Sequence, residues 1–322
     1  MSEVAAFVAR SRWLPAAAGV GVVAVVARRL GTGPVVSGIH AVTGWSLALG
    51  AGITLLTTAC SAWRWSLVAR RFGVELAFAH AVAMYYRSQF LNTTLPGGVL
   101  GDVHRGVRQG QQVGDVARGL RAVGYERLAG QAVQVMVTAA VLIAVPSPLR
   151  SALTVVLGVG ACGLLSVVIA VLSRRRSVSL PGAARAWIQV TLASALAVAG
   201  YTTMFVVAAR VAGATAATER LLPLAMLVLV AMAVPTNVAG WGPREGVAAW
   251  VFGFAGFGSA MGLTTATVYG VMTIVGCAPG GVVLLVERLR RAKADHRRLD
   301  APSVARRRWS AVAAQAKGGL SG

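Results

Sequence analysis

Apolar stretches of about 20 residues recur along this chain, which is the length a helix needs to cross the hydrocarbon core of a bilayer. A soluble fold could not cover that much apolar surface, because only 13% of the residues are charged. We therefore predict an all-α, polytopic membrane helical bundle, since helices satisfy their own backbone hydrogen bonds in lipid. About six full spans are expected, at 13–27, 45–63, 128–145, 151–172, 187–209 and 264–286.

Basic residues give the chain a formal net charge of +21, and their placement between the apolar runs predicts its orientation. Scattered arginines form no basic patch on a soluble domain, which argues against nucleic-acid binding. Segments rich in lysine and arginine face the cytoplasm, so both termini are expected on the cytoplasmic side of the membrane. The expected cytoplasmic segments are 1–12, 64–75, 102–127, 173–186 and 287–322, and the expected outer loops are 28–44, 146–150 and 210–220.

Aromatic residues at the ends of apolar runs are typical of the membrane–water interface. Arg87 follows two tyrosines, and its side chain is expected to extend to the lipid headgroups. The tryptophans expected to form an aromatic belt at the interface are Trp13, Trp45, Trp63, Trp65 and Trp187.

Two further apolar segments, 76–101 and 221–258, are interrupted by proline and glycine. Proline removes a backbone donor and glycine weakens helical order, so neither segment can be one unbroken helix. The first segment lies between two cytoplasmic segments and the second between outer ones, so each is expected to be a re-entrant hairpin. A kinked span or a close pair of spans is the alternative. The residues expected to break the helices are Pro96, Gly97, Gly98, Gly101, Pro235, Gly240, Gly242 and Pro243.

The two broken segments also share a spacing, P-x4-G-x3-R, at 96–105 and at 235–244. Each occupies the same place in one half of the chain, 13–145 or 151–286, after two apolar runs and before a third. Three full spans per half is an odd number, so the second half is expected to be inserted upside down. In transporters with such inverted repeats, the interrupted segments form the substrate site.

The pair Arg244 and Glu245 follows the second break and opens a new apolar helix. Proline suits the first position of a helix, and the free backbone N–H groups there favour an anion. Arg244 would add a bidentate clamp that suits a phosphate. The alternative is an arginine–glutamate pair that merely neutralises itself at the outer interface.

The first broken segment offers a second set of polar residues. Asp102 and Arg105 share a helix face at i and i+3, although Asp102 could instead cap the helix. The pair Glu126–Arg127 precedes a span and could reach the mouth of a cavity from the cytoplasmic side. The full set of expected substrate-binding residues is Arg244, Glu245, Arg105, Asp102, Asn92, Asn237, Glu126 and Arg127.

Catalytic motifs are not found in the sequence: it has no serine with a nearby histidine and acid, no phosphate-binding loop and no zinc-binding HExxH. The three cysteines are isolated and lack metal-ligand spacing. We therefore expect no metal, no cofactor and no enzymatic activity. An intramembrane lipid-modifying enzyme that uses Asp102, Glu126 and Glu245 is the alternative.

The segment 287–322 is basic and lacks an apolar core pattern, so it is expected to be a disordered cytoplasmic tail after a membrane domain at 1–286. A third hypothesis for the function is a non-catalytic membrane subunit that recruits partners through this tail. Membrane lipids with anionic headgroups are the expected partners, and a homo-oligomer or a partner enzyme stays open.

The motifs in and around the broken segments resemble those of the transmembrane, flippase-like region of lysylphosphatidylglycerol synthases. The resemblance rests on Phe90–Arg105, on Glu126-Arg-Leu128 and on Val234–Gly246, and it extends to about Val286. The last of these motifs, small residues followed by Gly-x-Arg-Glu-Gly, is the more specific.

This resemblance implies a lipid-handling role, because in the full-length synthases the region is linked to moving a charged lipid between leaflets. The synthases carry a soluble aminoacyl-transferase domain after it, whereas the basic tail follows here, so lysyl transfer is not implied. We therefore predict a flippase or transporter that moves an anionic or phosphate-bearing lipid. Other lipids or polyprenyl-linked carriers are open as substrates.

Overall fold

The computed structural model describes residues 20–21, 24–26, 28–95, 98–145, 183–233 and 241–318, with the backbone alone for 183–184, 291 and 294–318. These residues are helical with short connections, and no strand occurs among them. The helices are α1 Gly33–Ala41, α2 Gly44–Arg71, α3 Phe78–Thr94, α4 Leu100–Gln112, α5 Val116–Ala144, α6 Ala183–Val211, α7 Thr218–Ala231, α8 Pro243–Phe254 and α9 Ser259–Gly318.

Four of the described helices are long and apolar enough to cross a membrane, within Gly44–Arg71, Val116–Ala144, Arg185–Val211 and Ser259–Arg290. Each coincides with one of the apolar runs identified in the sequence, to within one residue at the end of α5, so the prediction of a multi-pass, all-α membrane protein is confirmed. The run at 151–172 and most of the run at 13–27 lie outside the described residues.

Both apolar segments that contain proline and glycine are broken, as expected. The first is divided between α3 and the start of α4, and the second between α7 and α8. Helix α4 continues to Gln112, into the stretch 102–127 that was expected to be a cytoplasmic segment, and its residues Asp102, Arg105 and Gln109 are buried. The two helices of each segment pack against each other, and Gly101 of α4 lies against the carbonyl of Ser88 in α3. Such side-by-side packing is shared by a re-entrant hairpin and a close pair of spans, so the re-entrant hairpin stays a prediction.

The breaks use glycine where the backbone requires it. Gly98 and Gly242 have φ angles of 60° and 128°, a region that favours glycine. Helix α8 then begins at Pro243, the first-turn position that suits proline. Four of the predicted residues lie outside the described part of the chain, namely Pro96, Gly97, Pro235 and Gly240.

The helices bury an apolar cluster between them and also carry apolar residues on their outer faces, as expected of a membrane bundle. The largest buried apolar cluster among the described residues includes Phe205, Phe252 and Tyr269 from α6, α8 and α9, and the ring of Phe205 contacts the other two rings. Large apolar side chains on the outer faces of the long helices are exposed, including Met136 and Leu196. In a bilayer these faces contact lipid tails, so their exposure needs no other partner.

Two predictions about the interface are wrong. Trp45 and Trp187 are exposed, as an aromatic belt requires, but Trp65 is completely buried. Arg87 is also buried, so its side chain does not extend to the headgroups. The apolar run ends at residue 63, yet α2 continues to Arg71. Residues 64–69 are buried, with the charge of Arg64 neutralised by Glu126, whereas Arg70 and Arg71 are exposed.

The chain divides into two compact units, Met1–Gly280 and Gly281–Gly322. The second unit continues α9 to Gly318, whereas the sequence predicted disorder from residue 287. Alanine and arginine are frequent in this segment and have high helix propensity, which explains the difference.

Candidate functional site

A cavity of about 320 Å³ lies within the first unit, and residues from both broken segments line it. Three arginines contribute to its wall: Arg64 from α2, Arg127 from α5 and Arg244 from α8. Amide and hydroxyl side chains make up most of the remaining polar wall. Small-molecule sites typically begin at about 300 Å³, so this cavity is large enough for a headgroup.

Arg64 is held at the cavity wall by a carboxylate on α5. Its Nε donates to Glu126 Oε1 at 2.7 Å, and its Nη2 contacts the same oxygen. Its Nη1 donates to Ser194 Oγ on α6 at 3.2 Å. The guanidinium lies against Gly130, where an added Cβ would be 2.6 Å from Nη1. A glycine at 130 is therefore needed for Arg64 to occupy this position.

Arg105 shares Glu126 with Arg64 but lies behind the cavity wall. Its Nη2 donates to Glu126 Oε2 at 3.0 Å and to Asp102 Oδ1 at 2.8 Å. The guanidinium carbon is 4.4 Å from the ring centre of Trp65 and 4.2 Å from that of Tyr85. These two rings stabilise the cation by their π faces, and Tyr85 lines the cavity where Arg105 does not.

Asp102 joins the buried cluster to the cavity surface. It accepts from Arg127 Nη2 at 2.7 Å, from Ser88 Oγ at 2.9 Å and from Asn92 Nδ2 at 2.8 Å. The other amide atom of Asn92, Oδ1, accepts from the backbone N–H of Gly101 at 2.8 Å. These bonds connect the two helices of the first broken segment across the break.

We name the connected group Arg64, Glu126, Arg105, Asp102 and Arg127 the charge cluster. It contains three guanidinium groups and two carboxylates, so one positive charge is not balanced within it. The side chain of Arg127 is 37% exposed, so the excess charge is presented at the cavity surface, where guanidinium groups bind anions by charge-assisted hydrogen bonds. Because Arg64 and Arg127 line the cavity, an anion in the cavity would be the balancing group.

Arg244 differs from the charge cluster because its partner is its own neighbour. Its Nε donates to Glu245 Oε1 at 2.7 Å, and Glu245 Oε2 accepts from the backbone N–H of Gly242 at 2.7 Å. The guanidinium carbon is 5.4 Å from the Trp241 ring and 5.7 Å from the Tyr269 ring. This pair has no net charge, as the alternative interpretation expected, yet Arg244 still lines the cavity.

The structure brings most of the residues predicted from the sequence to one place. Asn92, Asp102, Arg127 and Arg244 line the cavity. Arg105, Glu126 and Glu245 are buried behind it and hold the lining residues. Asn237 lies outside the described residues. The pairing of Asp102 with Arg105 at i and i+3 occurs as expected, and Asp102 makes no cap bond at the start of α4.

Arg64 was missed because the end of the apolar run placed it in a cytoplasmic loop. Gln131 and Gln134 were missed as well, although the sequence carries a signal for them. They follow Arg127 at i+4 and i+7 inside an apolar run, so the three side chains share one helix face.

Metal binding finds no support among the described residues, where no group of three or more histidine, cysteine, aspartate or glutamate side chains could hold an ion. The polar chemistry of the cavity is that of guanidinium, amide and hydroxyl groups. Such groups bind anions and hydroxyls by hydrogen bonds.

The family whose pattern matches the chain is described as the lysylphosphatidylglycerol synthase TM region, and the match covers residues 12–281. No curated protein matches the chain. The matched residues include both broken segments and all of the charge cluster.

Proposed function

The chain belongs to the lysylphosphatidylglycerol synthase TM region family, and on this basis we propose that it moves an anionic or phosphate-bearing lipid between leaflets of a bacterial inner membrane. Family membership supports a function related to membrane lipids. The cavity supports the narrower proposal of a flippase or transporter with an anionic headgroup as its ligand.

The observation that carries the proposal is the unbalanced positive charge of the charge cluster, presented to a cavity by Arg64 and Arg127. Charge inside a membrane protein is expensive and usually serves a function. Guanidinium groups bind phosphate with paired hydrogen bonds, which an ammonium cannot do. Arg244 adds a third guanidinium from the other broken segment.

Alternating access would follow from the placement of the two broken segments. Helices α3 and α4 supply Asn92 and Asp102 to the cavity, and α8 supplies Arg244. We propose that the segments enter the membrane from opposite faces, with the termini in the cytoplasm. Movement of either segment would then open the cavity to its own side.

This orientation predicts a labelling pattern. In a protein whose native cysteines are replaced by alanine, single cysteines at Ala77 and Gln112 should react with a membrane-impermeant reagent from the cytoplasmic face only. Cysteines at Thr215 and Ala260 should react from the opposite face only. All four positions are exposed at the ends of the broken segments. Labelling of all four from one face, or of the two members of a pair from different faces, would overturn the inverted-repeat proposal.

The transport proposal is tested by removing one cavity arginine that is not enclosed. Arg127→Ala should lower the rate at which a fluorescent phosphatidylglycerol crosses proteoliposomes by about five- to tenfold, since one charge-assisted contact is lost. The rate is measured by bleaching the outer leaflet with dithionite.

Arg118→Ala is the matched control, because Arg118 lies on the same helix and also pairs with an aspartate, Asp115, but away from the cavity. Its rate should stay within about twofold of the wild type, as expected for an exposed ion pair. Equal rates for the two variants, or no crossing with the wild-type protein, would count against the proposal.

The enzyme alternative needs a carboxylate that is free to take up or release a proton. Asp102, Glu126 and Glu245 are instead each held by one or two arginines. Their positions therefore support transport, with the carboxylates in the role of holding the arginines in place.

A further inference from the structure

Amide side chains line the cavity beside its arginines. On α5, Gln131 and Gln134 follow Arg127 along one face, and Gln89 faces the same space from α3. The wall therefore changes, along a single helix, from a guanidinium that suits an anion to neutral amides. A ligand that fits this wall has a charged part next to a neutral polar part.

The hydrogen-bonding capacity of these amides is largely unused among the described residues. Gln131 makes no hydrogen bond there. Gln89 accepts at Oε1 from Thr58 at 2.9 Å, and its NH2 group has no partner. Gln134 donates weakly to Thr138 at 3.4 Å, and its Oε1 has no partner. An amide both donates and accepts, as a hydroxyl does, so these groups suit a ligand with several hydroxyls.

The described residues that line the cavity offer no free carboxylate to a cationic headgroup. The carboxylate that lines the cavity, on Asp102, already accepts bonds from Arg105, Arg127, Ser88 and Asn92. Of the three tyrosines that line the cavity, Tyr85 and Tyr269 have their aromatic faces occupied by Arg105 and Arg244, which leaves Tyr201 as the ring that could contact an ammonium group, without a carboxylate to balance its charge. An amine or a quaternary ammonium would therefore meet positive charge on both sides.

We propose that the ligand is a phospholipid whose phosphate carries a neutral, hydroxyl-rich headgroup, such as a polyol or a sugar. The phosphate lies at Arg64 and Arg127, and the hydroxyls bond to Gln131, Gln134 and Gln89. The cavity of about 320 Å³ takes the headgroup and leaves the acyl chains among the helices. The inference rests on the proposed transport function and adds the headgroup class.

Four lipids with the same fluorescent acyl chain separate the chemistry in the dithionite assay. Phosphatidylinositol has the phosphate and the polyol, phosphatidic acid lacks the polyol, a hexosyl diacylglycerol lacks the phosphate, and phosphatidylethanolamine carries an amine. Phosphatidylinositol should cross about fivefold faster than each of the other three, which corresponds to one or two hydrogen bonds. Uptake of labelled inositol 1-phosphate by the same vesicles tests for a soluble ligand and should be absent.

Gln131→Leu tests the amide contact, since leucine has a similar size and no hydrogen-bonding group. It should slow phosphatidylinositol to about the rate of phosphatidic acid and leave phosphatidic acid unchanged. Gln112→Leu, at an exposed position on α4 outside the cavity, should change neither rate.

The outcomes distinguish this inference from the transport proposal. If all three phospholipids cross equally fast, or the amine lipid is fastest, the headgroup class is wrong while lipid transport stands. Equal crossing rates for the hexosyl lipid and phosphatidylinositol would show that the protein does not recognise the phosphate, which would contradict that part of the inference. Uptake of inositol 1-phosphate would show that the ligand is a soluble phosphate ester and not a lipid. If no lipid crosses, both proposals fall.

Discussion

Glu126→Ala is expected to lower the free energy of unfolding by about 3–5 kcal/mol, a large part of the stability of an ordinary domain. Glu126 is completely buried and holds both Arg64 and Arg105. Without it, the charge cluster contains three guanidinium groups and a single carboxylate. The loss is measured by titrating the purified protein in mixed micelles with a denaturing detergent.

Two further variants test the cause of that loss. Glu219→Ala removes an exposed glutamate from α7 and should change the free energy of unfolding far less. The double variant Glu126→Ala, Arg64→Leu restores the original excess of one positive charge, so it should be more stable than Glu126→Ala alone. If the double variant is the less stable of the two, unbalanced charge is not the cause.

Gly130→Ala is expected to slow lipid crossing by roughly 10- to 100-fold while the protein stays folded, because it displaces a charged hydrogen-bond donor from the cavity. The new Cβ would be 2.6 Å from Arg64 Nη1 and 2.8 Å from its Cζ. Those atoms are the far end of a flexible side chain, so Arg64 can move without a shift of the backbone. Glu126 remains bound to Arg105, which preserves most of the cluster.

Gly124→Ala is the matched control for this prediction. It makes the same change on the same helix, and an added Cβ there meets no atom within 4 Å. Both variants gain the same helix propensity, so any difference between them comes from the contact with Arg64. Equal crossing rates for the two variants, with equal stability in micelles, would show that the position of Arg64 does not matter for transport.

The helical membrane class, the broken segments and the family could be predicted from the sequence, because each depends on residues that are close together along the chain. An apolar run predicts a span wherever it occurs, and Pro243 marks the start of α8 without reference to any other helix. The pairing of Asp102 with Arg105 was likewise predictable, since both lie on one turn of a helix.

The role of Arg64 could not be predicted in this way, because its partner is 62 residues away along the chain. A charged residue at the end of an apolar run normally marks the end of a membrane span. Arg64 can be buried because the carboxylate of Glu126 neutralises its charge. Trp65 follows the same logic, since it is buried against the guanidinium of Arg105. Local sequence patterns do not show which buried charges pair when the partners are far apart along the chain.

The distance between Arg64 and Glu126 also bears on how the protein is made. Helix α2 contains no acidic residue, so the ribosome delivers Arg64 to the membrane before the carboxylate that neutralises it. An arginine at the centre of a membrane helix costs roughly 2.5–3.5 kcal/mol during insertion, and the cost is smaller near a helix end, where Arg64 lies and can reach the headgroups. The end of α2 is therefore expected to wait at the headgroups until α5 arrives, and assembly of the charge cluster becomes a late step of biogenesis.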